Sequence, residues 1–307
     1  MSATPRISMA YSTFFPKETP ELPFDTAAGN TSPELYRHPI MASSLQNQPL
    51  IDTTRDGHVH TCLCGHASGT MEEYVQAAVA KGLSSLTFLD HMEGEIRYPY
   101  RSWLTADDFT VYWAEGERLR KKYAGQVEVR LGVEMGYNPD GVETLRRQLD
   151  AYPWASVGLS CHFFRHGDRH YNLLSNRRES LEMFTAIGVD TVLQRYFSIL
   201  IDGVQQLSCT VLCHLDAGLR HMPGIRFSEE HREQIHTLLQ AVRSRGMALE
   251  INASGFDYRG NPFPADWIIT TAIGMGIPLA PGSDAHRPEE VGRHFDRLPS
   301  YVEALRP

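Results

Sequence analysis

The residues best equipped for chemistry crowd into one stretch, Arg55–His66, which reads RDGHVHTCLCGH. Histidines, cysteines and an aspartate at this density form a metal-ligand set. A closed Cys/His knuckle needs a second Cys/His pair at matching spacing, and the chain has none. The remaining reading is one corner of an open hydrolytic centre, with its other donors far along the chain.

Those donors lie at regular places. From about residue 51, short β-rich runs alternate with amphipathic helical stretches. The runs are 56–60, 84–90, 127–134, 154–162, 209–214, 246–252 and 277–284. Strands separated by helices predict parallel βαβ units, closed into a barrel or doubly wound. The first run ends on His58 and His60, and the second on Asp90 and His91. The next ones end on Glu134, His162 and His214, and the last is followed by Asp284 and His286. In a barrel such ends converge on one face, where sites are built. Taken singly, each has a plain structural reading; their repetition at strand ends favours a shared site.

Alternation of side chains refines this. His58 and His60 share a face, as do Asp284 and His286. Cys161 and Cys213 each precede a histidine, so both are expected to face the helices and not to bind metal. Asp56 is expected to orient a ligand histidine. Glu250 and Asn252 share a face of the sixth run and are expected to point into the barrel. Helices are expected at 71–81, stopped by Gly82; at 105–123, capped by Thr105; at 178–207 as one long helix; and at 228–245.

Composition sets the limits. The 307 residues are 42% hydrophobic and 21% charged, as in an ordinary globular chain. The formal net charge is -8, without a basic stripe, which argues against a nucleic-acid partner. No run is long and apolar enough for a membrane, and no secretory signal is apparent, so a cytoplasmic protein is expected. Five unevenly spaced cysteines do not form a disulfide framework. Residues 1–50 are rich in Pro, Ser and Thr and lack a period; they are expected to form an irregular arm available for homo-oligomer contacts. Residues 51–307 are expected to form the barrel domain.

The segments DGHVHTCLCGH, LDH, GVE, SCHF, CHLD, LEINASG and PGSDAH together resemble the PHP (polymerase and histidinol phosphatase) superfamily, in its histidinol-phosphatase-like branch. The resemblance runs from about Asp56 to Phe295. It implies a distorted (β/α)7 TIM-like barrel of the α/β class, with a trinuclear metal centre at the C-terminal strand ends. One metal would take His58, His60, Glu134 and Asp284; a second, the bridging Glu134 with His162 and His214; a third, His66, His91 and His286. The three divalent ions would be Zn, Fe or Mn. The implied reaction is hydrolysis of a small phosphate ester, L-histidinol phosphate first, by a metal-bridging hydroxide held by Glu134 and Asp284. Arg220, slightly later than the family's basic residue, would contact phosphate. The segment after His91 is expected to form a substrate lid with Glu93, Glu95, Tyr98, Tyr100 and Trp103. Arg165 and Arg195 read as surface residues. The alternatives are another ester (a biosynthetic intermediate, a nucleotide or phosphotyrosine) and a non-catalytic scaffold of the same fold. A barrel hydrolase using a carboxylated lysine is disfavoured, because none of Lys17, Lys81, Lys121 and Lys122 lies at a strand end.

Overall fold

The computed structural model describes residues 49–307. The expected arm, apart from Pro49 and Leu50, lies outside the described residues. The strands are β1 (Arg55–Val59), β2 (Ser85–Glu93), β3 (Glu128–Gly136), β4 (Val157–Ser160), β5 (Phe163–His166), β6 (Arg169–Asn172), β7 (Val211–Leu212), β8 (Ala248–Asn252) and β9 (Leu279–Gly282). Seven of them form one parallel sheet in the order β1-β2-β3-β4-β7-β8-β9. Its edges meet: Asp284 N–H donates to the His58 carbonyl at 2.9 Å, and His60 N–H donates to the Ala285 carbonyl at 3.0 Å. The sheet therefore nearly closes into the expected barrel, with helices between the strands. Among the described residues no helix is long and apolar enough to cross a membrane.

Local signals explain most element ends. Thr70, Thr105 and Ser228 each cap a helix and form a reciprocal capping box, with Glu73, Asp108 and His231 respectively. Gly82, at φ 69°, turns the chain out of the helix Met71–Ala80. The long helix expected over 178–207 is in fact two, Arg178–Ile187 and Val189–Gln206, broken at Gly188 with φ 94°. A left-handed residue cannot continue a right-handed helix. The hairpin β5–β6, turning through Gly167 at φ 59°, was not expected. Strands β2 and β3 pair beyond their expected ends, so His91 and Glu134 lie within paired strands rather than at their tips. Polar side chains facing a site do not stop a ladder, because the backbone bonds are indifferent to them.

The lumen is narrow, and glycine makes its large polar residues possible. A methyl on Gly136 would overlap a Glu93 carboxylate oxygen, and one on Gly282 would overlap Glu250 Oε1. A methyl on Gly158 would come within 2.7 Å of Cys213 Sγ and 2.9 Å of Leu89 Cδ2. Cys213 thus points into the lumen beside Leu89 and Val211, not toward the helices as expected. His214, with φ 24°, also reaches the site, so alternation fails at this strand end. Cys161 is buried in the main core, away from the donor clusters.

Gly158→Ala is expected to destabilise the barrel by about 1–3 kcal/mol through overpacking. Calorimetry should show the melting temperature falling by several degrees, roughly 2–4 °C per kcal/mol for a domain of this size. An unchanged melting temperature would contradict the tight lumen.

Candidate metal centre

Glu134 sits at the middle of the barrel mouth and is fully buried. Its Oε1 lies 2.7 Å from His214 Nε2 and 3.1 Å from His162 Nε2, and accepts from the Ser160 hydroxyl. Its Oε2 lies 2.9 Å from His91 Nδ1, 3.6 Å from His58 Nε2 and 3.8 Å from His60 Nε2. Despite these neighbours, Oε2 makes no hydrogen bond. A buried carboxylate oxygen aimed at imidazole nitrogens without a hydrogen bond is a poor arrangement for the protein alone. It suits a bridging metal ligand.

The other donors gather around it. His58 Nε2 lies 3.0 Å from His60 Nε2, which is 3.1 Å from Asp284 Oδ1. His286 Nε2 lies 3.0 Å from His66 Nε2, and the His60 ring stacks on those of His91 and His286. Two nitrogens sharing a tetrahedral zinc at its usual bond length would be about 3.3 Å apart. Five groups of described residues have donor atoms close enough to share an ion; three are His58–His60–Asp284, Glu134–His162–His214 and His60–His91–His286, and a fourth is His91–Glu93–His162. His66 is not in the third cluster but touches it through His286. A further cluster, His58–Glu134–Cys213, includes the unexpected lumen thiol. The donors, imidazoles and carboxylates with one free thiol nearby, fit divalent metals; they do not select one.

Carboxylates from two strands away fix the rings. Glu93 Oε1 lies 2.7 Å from His162 Nδ1, and Glu250 Oε1 lies 2.6 Å from His58 Nδ1. Glu93 is therefore a buried support of the cluster rather than part of a lid. Glu95 is also elsewhere, bonded to the Thr144 hydroxyl on the outer surface. Trp103 packs edge-on against Phe163. Asp56 corrects another expectation: it accepts backbone N–H bonds from Ser283 at 3.0 Å, Gly292 at 2.8 Å and His58 at 3.3 Å, and touches no imidazole. It ties β1 to the loop after β9.

Electrostatics divides the histidines. Burial would lower His162, but Glu134 and Glu93 outweigh it and push the imidazole up to about 10. Burial likewise opposes the carboxylates around His58 and His60, and both still rise above the ordinary value. Burial drives His91 down to about 3, helped by the nearby His60. His66 and His286 are also lowered, by burial first. Burial would raise Glu134, yet the surrounding His162, His58, His91 and His214 hold it well below the usual carboxylate range. Without metal, therefore, the Glu134 charge is balanced by protons on part of the cluster.

The cluster opens into a cleft of about 590 Å³. Tyr98, Tyr100, Arg177, Arg220, Tyr258 and Arg293 line it. The Arg220 guanidinium lies over the Tyr258 ring at 4.3 Å, and Arg177 over the Tyr100 ring at 3.9 Å. Arg165 and Arg195 stay outside: the first pairs with Asp140, and the second lies over Phe164. Arg177 follows the hairpin and escaped the sequence reading because that hairpin did.

A nearly closed parallel barrel with an imidazole–carboxylate cluster at its mouth defines a class of α/β barrels suited to divalent metals. Residues 56–254 match the PHP domain, and the chain belongs to that family. A Deinococcus radiodurans protein named "Probable histidinol-phosphatase" is 31% identical over 245 residues, covering 78% of this chain and 89% of the relative. The Bacillus subtilis histidinol-phosphatase is 29% identical over 259 residues, covering 79% and 97%. The same fold is seen in the crystal structure of histidinol phosphate phosphatase from Lactococcus lactis, complexed with Zn, L-histidinol and phosphate. It has a TM-score of 0.67 at 20% identity, covering 82% of this chain and 93% of that one.

Zinc added to metal-free protein at pH 7 is expected to expel protons, because His162, raised to about 10, holds one that a ligand must give up. Apparent affinity should therefore rise with pH toward that value. Titration calorimetry in buffers of different ionisation enthalpy measures this; zinc binding without net proton release would contradict it.

Proposed function

We propose that this chain is a metal-dependent phosphatase that hydrolyses L-histidinol phosphate to L-histidinol and phosphate. The observation that carries the reading is Glu134, whose two oxygens face histidines of different clusters in the family's barrel. His58, His60, Glu134 and Asp284 would hold one ion; Glu134, His162 and His214 a second; His66, His91 and His286 a third. Such ions, when bound, lower the pKa of coordinated water and offset the charge of a phosphate dianion.

The chain's own residues do the remaining work. Glu93 and Glu250 hold imidazole rings in place from behind. Arg220 turns toward the cleft with its Nε buried and unpartnered. It offers phosphate oxygens a forked contact. The Tyr258 ring, 4.3 Å beneath it, holds that guanidinium in place. Tyr98 and Tyr100 form an aromatic wall on which the imidazole of histidinol can pack. The relatives named histidinol-phosphatase support the substrate. A small water-soluble ester as substrate fits a cytoplasmic enzyme.

One observation favours a second reading, a more anionic ester. Arg177 and Arg220 both line the cleft without a carboxylate partner among the described residues. The cleft's one acidic residue outside the donor set, Glu290, is engaged by His286 N–H and Arg287.

Steady-state kinetics on a panel of phosphate monoesters decides between them. The highest kcat/KM is expected for L-histidinol phosphate, and a preference for a dicarboxylate or nucleotide ester would favour the second reading. Glu134→Gln and Asp284→Asn should each reduce kcat below roughly 1% of wild type, since removing a direct ligand exceeds the 10–100-fold typical of a supporting partner. Near wild-type turnover in both variants would overturn the assignment.

A further inference from the structure

Of the seven barrel strands, β8 alone neither carries nor leads directly into one of the nine proposed donors. Its lumen-facing residues, Glu250 and Asn252, are nonetheless buried in the middle of the cluster. Strand β8 lies between β7, which leads to His214, and β9, which leads to Asp284.

The contacts of Glu250 are unusually distributed. Oε1 lies 2.6 Å from His58 Nδ1 on β1, two strands away past β9. Oε2 accepts the backbone N–H of His214 at 2.7 Å. It also accepts from Asn252 Nδ2 at 3.2 Å, and that amide group lies 3.4 Å from Asp284 Oδ2. Both His214 and Asp284 are non-glycine residues at positive φ, 24° and 52°. Such backbones persist only where the surroundings over-determine them. The surroundings here are the Glu250–Asn252 pair and the serine beside it: Ser254 Oγ donates to Asn252 Oδ1 at 2.6 Å. Gly282 on β9 leaves the space that the Glu250 carboxylate fills.

We propose that Glu250 is a positioning residue that ties two metal positions together. A carboxylate oxygen 2.6 Å from His58 Nδ1 accepts from that nitrogen and leaves Nε2 to face the metal. The other oxygen of the same carboxylate holds the His214 backbone in the turn that sends its ring to Glu134. His58 and His214 belong to different ions in the proposed centre, so one carboxylate sets the geometry of both. This inference rests on the metal-centre reading of the cluster.

The test is cobalt(II) and zinc binding to metal-free wild type and Glu250→Gln, by chelator competition and cobalt d–d absorption, with melting temperatures alongside. The glutamine keeps the volume and one acceptor, but it cannot accept from both His58 and the His214 backbone as the carboxylate does. Affinity is expected to fall roughly 10–100-fold at more than one position, with a changed cobalt spectrum. Turnover should fall through kcat, with KM little altered. Should Glu250→Gln not fold, Glu250→Asp, whose shortened carboxylate cannot reach His58 Nδ1 and the His214 N–H together, takes its role in the test. Affinity within about twofold of wild type and an unchanged spectrum would overturn the proposal, even if the melting temperature fell. Wild type that binds neither metal would instead remove the metal centre itself, and the proposal with it.

Discussion

A carboxylate buried among imidazoles is the constraint on which this structure turns. Removing an isolated charge from water costs several kcal/mol even after relaxation. Glu134 is fully buried at the barrel mouth and is still held ionised by the histidines around it. Those rings must be held in turn, and Glu93 and Glu250 do so, each from two strands away. These further carboxylates need room inside a seven-stranded lumen. Gly136 and Gly282 supply it. One buried charge thus dictates residues in successive layers, down to glycines that carry no donor atom themselves.

The same constraint explains where the backbone is strained. His214 and Asp284 carry positive φ values just beyond β7 and β9, on either side of β8. Each costs of order 1–3 kcal/mol relative to relaxed backbone. The bonds from Glu250, Asn252 and Ser254 offset that cost by fixing both turns from strand β8. The mouth of the barrel is therefore rigid where the donors sit. The aromatic and arginine wall of the cleft is built separately, from the loop carrying Tyr98 and Tyr100 and the segment after the β5–β6 hairpin.

Much of this was legible in the sequence. Each of the seven barrel strands was readable from its β-rich run, and the donors from their place near strand ends. The chain belongs to the family that the motifs resembled. What escaped has a common cause: period-2 reasoning assumes regular backbone. It fails at His214, where positive φ brings Cys213 and His214 both into the lumen. It also mistook lumen-facing His91 and Glu134 for strand ends, although pairing continues to Glu93 and Gly136. Asp56 and Glu93 both depart from their expected roles: Asp56 bonds backbone rather than an imidazole, whereas Glu93, expected in a lid, supports His162. Sequence spacing gives the face of a residue but not which buried polar partner lies across the barrel. The β5–β6 hairpin and the break at Gly188 each turn on a single glycine, too local a signal to stand out from an otherwise amphipathic stretch.

The central claim is that Glu134 bridges metal positions within one polynuclear centre. Anomalous diffraction at the absorption edges of zinc, iron and manganese, from crystals of protein purified without chelator, tests it most directly. Three peaks are expected at the barrel mouth, with the two Glu134 oxygens contacting more than one of them. Peaks elsewhere, or a fully ordered mouth with no peak beside Glu134, would contradict it.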